Sequence, residues 1–414
     1  MNIGIIGGGA SGMFLASMLN KNKNVHVTLI ERNAKLGKKL LLTGNGKCNF
    51  TNDNFDNNID GIYNSDFAYN IYKLHDKDEF LSFMRDIGIE PKIEIHKGEK
   101  YYYPNSNKST SVYYALLDRM NANGVEILYD TLIKDIKINS DRFDLVSNDS
   151  NYTFDKLVIA TGGSTYKNTG SDGNLYKMLE KLGHKIVKPL PALCGFNYDD
   201  KDLLALKGVR VDARINAIVY NLNQIEKQFV ECGEVQFTQN GISGIPIMNL
   251  SRLVNRYIDG GKKVDLSLDF NSVIRDSNQS VFIDYLSNRK EKLYYKNTRD
   301  FLCGFIPDEI AYIIIKRCGI KDKLVSEFNA NDIEKLRDEI TGFKITNIKI
   351  PTIDNAQITI GGVDLNDIDS ESLESKKVKN MYFVGEVLDV DGKCGGYNLQ
   401  FAYSSAATII KQLI

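Results

Sequence analysis

Apolar positions along the chain change period several times, and each change marks an element. Residues 2–6, NIGII, are a short apolar run bounded by glycine, as in a buried strand. SGMFLASMLN (11–20) carries its apolar residues at helical spacing, and VHVTLIE (25–31) is apolar and β-branched again. Together they predict a βαβ unit about thirty residues long. Residues 33–66 are rich in Gly, Asn and Lys with little periodicity, which predicts a long functional loop. Helical spacing returns over 69–88 and 109–123, the latter closed by Gly124. Strand patterns then come at 125–130, 133–139, 143–147, 151–154 and 156–163, and a further helix is predicted over 172–183. The reading is a parallel strand, a small antiparallel meander, and another buried parallel strand.

At KPLPAL (188–193) the character shifts. From 194 to about 270 the pattern is strands with polar breaks, including RVDARINAIVY and KKVDLSLDF, with one strand-to-helix join in GISGIPIMNLSRLV. From 273 to 341 it turns helical, with Pro307 at one helix start and Asn331 or Asp332 near another. Strands resume over 343–360, and the chain ends strand–turn–helix. The outline is α/β, then a β-rich insert with a helical piece, then α/β.

Composition narrows the class. The 414 residues are 43% apolar and 25% charged with a net charge of −1, so no electrostatic footprint for nucleic acid or an anionic membrane stands out. The N-terminal residues lack a signal-peptide pattern, no apolar run reaches membrane-span length, and the expectation is a cytoplasmic protein. Six cysteines are scattered without C-x-x-C, and none of the four histidines pairs with a cysteine at ligand spacing. Free thiols and no metal site are expected.

The chemistry concentrates at the two ends. In GIIGGGASG, Gly7, Gly9 and Gly12 form G-x-G-x-x-G between a strand and a helix. Gly7 allows the tight turn, Gly9 admits a pyrophosphate to the backbone, and Gly12 permits close helix packing. The first helical turn then offers free N–H groups and the dipole to the phosphates. Glu31, nineteen residues beyond Gly12, stands where a carboxylate accepts from ribose hydroxyls. The plainer alternative is a glycine turn with a surface acid. At the other end, DVDGKCGGYNLQ (389–400) places three glycines and a cysteine between a strand and the final helix. If that segment returns to the first sheet, Glu386 reaches a polyol chain, and Gly395 and Gly396 let a flavin ring lie on backbone amides. The alternative is a glycine-rich helix start with no chemical role.

The sequence resembles the BaiN-like flavoproteins, bacterial NAD(P)/FAD-dependent oxidoreductases that include an aminoacetone oxidase and bile-acid-intermediate reductases. The resemblance rests on IIGGGASGM (5–13), KLGKKLLLTGNGKCNFTN (35–52), LVIATGGSTYKNTGSDG (157–173), GEVQFTQNGISGIPIMNLSR (233–252) and the segment 358–406. It implies an α/β fold in which a Rossmann-like FAD-binding domain is built from both chain ends (1–190 and 356–414). A β-barrel-like domain (191–272 and 342–355) and a helical subdomain (273–341) are inserted. It implies that Gly7, Gly9, Ala10, Ser11 and Gly12 hold the pyrophosphate, Glu31 the adenosine ribose, and the backbone of Ile133 the adenine. Thr161, Gly162 and Gly163 would line the same crevice. Glu386 would face the ribityl chain and Gly396, Tyr397 and Asn398 the flavin pyrimidine, with Gly385 and Gly395 also in the cofactor set. Arg32, Lys38, Thr43, Gly44, Gly46, Cys48 and Asn49 complete the expected cofactor set. Lys47 stands where the family usually has Arg, so a bidentate contact there would be weakened. Cys394 also departs from the family's small non-thiol residue.

No catalytic acid or base is identifiable. Cys48 has no second cysteine at disulfide-reductase spacing, which argues against a dithiol mechanism. FTQNGISGIP (237–246) reads equally as a pocket edge or a barrel turn, and EKYYYPNS (99–106) as packing or a lid. The expected activity is NADH- or NADPH-dependent reduction of a small organic acceptor through a flavin, an activated C=C being one candidate. A flavin-dependent amine or aminoketone oxidase using O₂ is the alternative, and a non-catalytic flavin sensor a third. The expected partner is a small molecule rather than nucleic acid or membrane, with the oligomeric state open.

Overall fold

A computed structural model describes the chain apart from residues 20–23, 57–60, 97, 223, 272–278 and 322. The chain divides into two compact units, Met1–Pro191 with Ile353–Ile414, and Ala192–Thr352.

The first unit is organised by a five-stranded parallel sheet. Its order is Met381–Phe383, Lys156–Ile159, Asn2–Ile6, His26–Ile30, Glu126–Leu128. Ile5 lies opposite Val158 on one side and Leu29 on the other, and all three are fully buried. Such unbroken apolar runs are what a parallel sheet covered on both faces requires. Helix Ala10–Met18 comes after the first strand and buries Ser11 through Ser17. The last long helix, Tyr397–Thr408, packs along it and is buried over nearly its whole length. Phe14 meets Tyr403 edge-on at 6.0 Å, and Tyr403 stacks on Phe80 at 4.3 Å, so aromatic rings weld the chain's two ends together. The antiparallel meander is formed by Asp135–Asn139, Arg142–Val146 and Asn151–Phe154.

One local pattern is resolved differently from the sequence reading. The helix expected over 69–88 is two helices, Asp66–Leu74 and Lys77–Asp86. Asp76 breaks the run by accepting from the N–H groups of Asp78 and Glu79, a helix-starting cap inside an apolar period. The tyrosine-rich stretch is a strand, Glu99–Pro104, paired with Pro91–His96 and with Thr51–Asn52.

The second unit is a six-stranded antiparallel sheet with helices. Its order runs Phe196–Asn197, Gly241–Ser243, Gln224–Phe237, Arg210–Asn221, Lys263–Asp269, Phe343–Ile345. Lys349, just past the last strand, exchanges both backbone bonds with Asn197 of the first, at 2.8 and 3.0 Å, which joins the two ends of the sheet. Ala213, Ile215, Ala217 and Val219 are buried at every second position, so period two sets the core face. Helix Ile245–Asp259 starts with proline in its first turn and covers that face. Helices Gln279–Lys292, Thr298–Phe301, Asp308–Cys318 and Ala330–Thr341 come next. The expected start of the helical piece at 273 lies outside the described residues. Among the described residues no helix is long and apolar enough to cross a membrane, and no cluster could hold a metal ion.

Candidate cofactor site

The first strand ends at a turn that only glycine can make. Gly7 has φ 110°, and a Cβ there would stand 2.4 Å from the Ala160 carbonyl oxygen. A Cβ on Gly12 would stand 2.0 Å from the Gly7 carbonyl oxygen, so Gly12 is fixed by the close seating of the helix on the turn. Gly9 differs from both. Its φ of −76° suits any residue, and a Cβ there would meet nothing within 4 Å. A bare backbone facing open space at a helix N-terminus could seat an anion and answers no packing necessity.

Glu31 closes one side of this turn. Gly8 N–H donates to its Oε2 at 2.9 Å, and Asn33 donates to Oε1 from its backbone N–H at 2.8 Å and its side-chain amide at 2.6 Å. The carboxylate is thus held rigidly, with acceptor capacity left on Oε2. Ile133 is buried, two residues past Thr131, whose N–H donates to the Glu31 carbonyl at 2.9 Å. Arg32 pairs with Asp172 at 2.6 Å, and Lys38 donates to the Asn33 side-chain oxygen at 3.0 Å, so both support the Glu31 side of the site.

The opposite side is built from distant segments. A Cβ on Gly163 would lie 2.3 Å from Thr359 Oγ1 and 3.0 Å from Glu386 Oε1, and one on Gly385 would lie 2.5 Å from Ser11 Oγ. Gly162, with φ 71°, lies beside Ser171, and Thr161 lies against Gly7. Thus the strand ends at 159 and 383 deliver Thr161, Gly162, Gly163, Gly385 and Glu386 to the mouth of helix Ala10–Met18. Glu386 is engaged there by Lys39 Nζ at 2.6 Å and by the Thr359 N–H at 2.9 Å.

The loop after helix Lys38–Leu42 runs to the start of the last helix. Gly44, Asn45, Gly46 and Cys48 all have positive φ, between 54° and 83°, so the loop coils tightly. Thr43 turns its hydroxyl inward to donate to the Leu40 carbonyl. A Cβ on Gly396, at φ 93°, would stand 2.8 Å from the Thr51 N and 3.0 Å from Asn49 Oδ1. Asn52 donates to the Gly395 carbonyl at 2.7 Å, and Tyr63 donates to the Tyr397 carbonyl at 2.8 Å. Asn398 spends its side chain on its own turn: the Gly392 N–H donates to its oxygen, and its amide donates to the Gly392 carbonyl. Cys48 is fully buried, and burial pushes its thiol up to about 12, so it is a protonated packing group near neutral pH.

Several buried polar atoms have no partner among the described residues: Asn49 Oδ1, Ser164 Oγ, Ser171 Oγ and Tyr176 OH. Burial of Tyr176 and the nearby charges of Glu386 and Asp389 hold its hydroxyl in the protonated, donating form. Orphaned groups of this kind, beside a bare glycine turn and two helix N-termini, fit a long polar ligand with phosphates near one helix N-terminus and a polar ring near the other. Lys39, Thr359, Ser164, Ser171 and Tyr176 were not singled out in the sequence. Lys39 is adjacent to the selected Lys38, and its partner lies 347 positions away, a pairing that no local pattern reveals.

The HI0933-like protein Rossmann domain matches residues 1–411. The chain belongs to that family. The 3-dehydro-bile acid delta(4,6)-reductase of Clostridium scindens is 31% identical over 97% of this chain and 96% of its own length. The ribosomal RNA dihydrouridine synthase of Haemophilus influenzae is 28% identical over 97% and 96%. Among solved structures, Escherichia coli quinol fumarate reductase FrdA superposes with a TM-score of 0.51 at 13% identity, covering 100% of this chain and 69% of that one, a likeness of fold alone. The mixed α/β, Rossmann-type FAD-binding fold and the flavoprotein oxidoreductase class expected from the sequence therefore stand.

Proposed function

We propose that this enzyme reduces a carbon–carbon double bond conjugated to a carbonyl, using NADH or NADPH. In the overall change the reduced nicotinamide and one proton convert C=C to CH–CH, and the nicotinamide leaves oxidised. The observation that supports the flavin part of this reading is that Glu31 is fixed against Gly8, Gly385 lies against Ser11, Glu386 lies against Gly163 and Thr359, and Gly396 lies against Asn49. Gly9 and the free amides of its helix would take the pyrophosphate, Glu31 the adenosine ribose, and Glu386 the ribityl chain. The amides opening helix Tyr397–Thr408 would take the pyrimidine end of the ring, and Asn49 Oδ1 would accept from its N–H. FAD held there would supply hydride transfer between the nicotinamide and the acceptor. Lys39 holds Glu386 in place, and the buried, protonated Cys48 packs without reacting.

The two relatives support the substrate class. An enone in a bile acid and the 5,6-bond of uracil are both double bonds activated by a conjugated carbonyl. The exclusion of nucleic acid drawn from net charge is not supported by this comparison, since one relative is named for ribosomal RNA. The test is an anaerobic titration of the purified protein with NADH and NADPH, monitored by visible absorbance. Bleaching by a nicotinamide, reversed on adding an enone, is expected. Bleaching by an amine or aminoketone alone, with recovery in O₂, would replace this reading with the oxidase.

A further inference from the structure

His184 lies just past helix Tyr176–Lys181 in the first unit, and only 3% of it is exposed. Both ring nitrogens are engaged. Nδ1 stands 3.2 Å from the Leu179 carbonyl oxygen, and Nε2 2.7 Å from Ser375 Oγ. The partners assign the protons. A carbonyl only accepts, so Nδ1 carries the hydrogen and donates it to Leu179. Ser375 Oγ already accepts from the N–H groups of Lys377, at 3.0 Å, and Val378, at 2.9 Å. A hydroxyl has two lone pairs and one hydrogen, so Ser375 donates that hydrogen to Nε2. The count closes with a neutral imidazole and leaves no acceptor for a second ring proton.

This pair secures the outer flank of strand Met381–Phe383. The Ser375 N–H donates to the Met381 carbonyl at 2.7 Å, and the Phe383 N–H to the Leu373 carbonyl at 3.1 Å. The His184 ring meets Phe383 edge-on, with centroids 5.1 Å apart. The strand runs on to Gly385 and Glu386. Nearby charges do not supply the missing acceptor. Asp367 and Lys377 act on the ring, but Asp367 Oδ2 accepts from the Lys185 N–H at 2.7 Å and its Oδ1 pairs with Lys377 at 3.3 Å. Lys185 Nζ closes on Asp364 at 2.7 Å, and Glu374 accepts from the Asn380 N–H at 2.6 Å. Lys177, Glu180, Lys181 and Lys376 are exposed, and burial keeps Tyr176 and Tyr382 protonated. Burial also holds the His184 imidazole below its usual pKa of about 6.5, against the opposite pull of the Leu179 carbonyl and Asp367.

We propose that His184 is an acid-sensitive latch on strand Met381–Phe383. A proton gained at Nε2 sets its hydrogen against that of the Ser375 hydroxyl, whose lone pairs are taken. Ser375 must then turn away, and segment Leu373–Val378 parts from the strand. The latched chain binds fewer protons than the opened one below the usual histidine pKa. Latching is therefore full near neutrality and is lost as pH falls below about 6.5, the opening constant rising by up to about tenfold per pH unit. Gly385 and Glu386 loosen with the strand they follow, and this second part rests on the cofactor reading above.

The test is hydrogen exchange of the intact flavoprotein, read by mass spectrometry as protection factors from about pH 7.5 to about pH 5. In the parent, protection over 373–383 should fall with pH while that of strand Asn2–Ile6 holds. His184→Phe fills the space but takes no proton, so its protection over 373–383 should start lower and stay flat across the series. Nitrogen NMR of the parent gives a second reading that needs no variant: Nε2 should be unprotonated near neutrality and titrate below about 6.5. The latch is overturned if protection over 373–383 does not change with pH, or if Asn2–Ile6 opens in step. It is equally overturned if His184→Phe follows the parent's pH course, or if Nε2 carries the proton near neutrality. FAD release, read as recovered flavin fluorescence, should track the opening. FAD held as tightly by the opened protein would overturn the loosening of Gly385 and Glu386. A protein that takes up no FAD would remove the cofactor reading, while the exchange data would still decide the latch.

Discussion

Replacing Gly9 with serine separates a glycine kept for a ligand from one kept for the fold. At φ −76° and ψ −170° the position is an extended helix N-cap that any residue can adopt, and a Cβ there meets no atom within 4 Å. Serine is also a favoured N-cap, so Gly9→Ser should hold the apoprotein's stability or raise it by a few tenths of a kcal/mol. On the proposed binding mode the added side chain would compete with the pyrophosphate for the free N–H groups of helix Ala10–Met18. If two charge-assisted bonds to a pyrophosphate are lost there, at about 1.5–3 kcal/mol each, FAD affinity falls by about 10²- to 10⁴-fold. The assay is two measurements on one variant: thermal unfolding of deflavinated protein, and FAD rebinding by quenching of flavin fluorescence. Stability and affinity should move apart. Undiminished rebinding of FAD would refute the cradle, and an unfolded apoprotein would refute the claim that Gly9 is free of packing duty.

Gly12→Ala should do the reverse, destabilising the apoprotein by about 1–3 kcal/mol in urea because its methyl would overlap the Gly7 carbonyl at 2.0 Å. Lys39 and Glu386 are only 22% and 20% exposed, so a double-mutant cycle with Lys39→Met and Glu386→Gln should give a coupling of about 1–2 kcal/mol; additive losses would mean that the pair holds nothing in place. Cys48→Ala should leave the pH profile of flavin reduction unchanged near neutrality. The native thiol keeps its proton up to about 12 whereas an ordinary thiol loses it near 9, so the native state binds more protons in that window and wild-type stability falls there as pH rises. The alanine variant should show a shallower fall, by up to about 1.4 kcal/mol per pH unit, in denaturant titrations at graded pH.

What the sequence made readable was local and periodic. The run from Ile3 to Glu31 announces its strand, turn, helix and acid because spacing alone sets them. The terminal Gly395–Gly396 pair is equally visible as bare backbone before a helix. The polar partners of the site are not readable in this way. Lys39 meets Glu386, Gly163 meets Thr359, and Asn49 meets Gly396 only after the sheet has formed. Arg32 and Lys38 have the right residue types, yet they brace Asp172 and Asn33, because hydrogen-bonding capacity does not reveal direction. Asp76 misled in the other sense. One capping carboxylate divides an apolar period that otherwise runs unbroken, and no counting of apolar positions registers a cap.

Strand Met381–Phe383 sits at the outer edge of the parallel sheet, against Lys156–Ile159, while the helix behind it lies against the very first helix. A polypeptide emerging from the ribosome therefore lacks this edge until Met381–Phe383 is made, with the flank of Lys156–Ile159 bare to any other strand it meets. On the proposed site, prosthetic-group loading waits for that strand, and a nascent chain stalled before it would be a substrate for chaperones rather than a partly active enzyme.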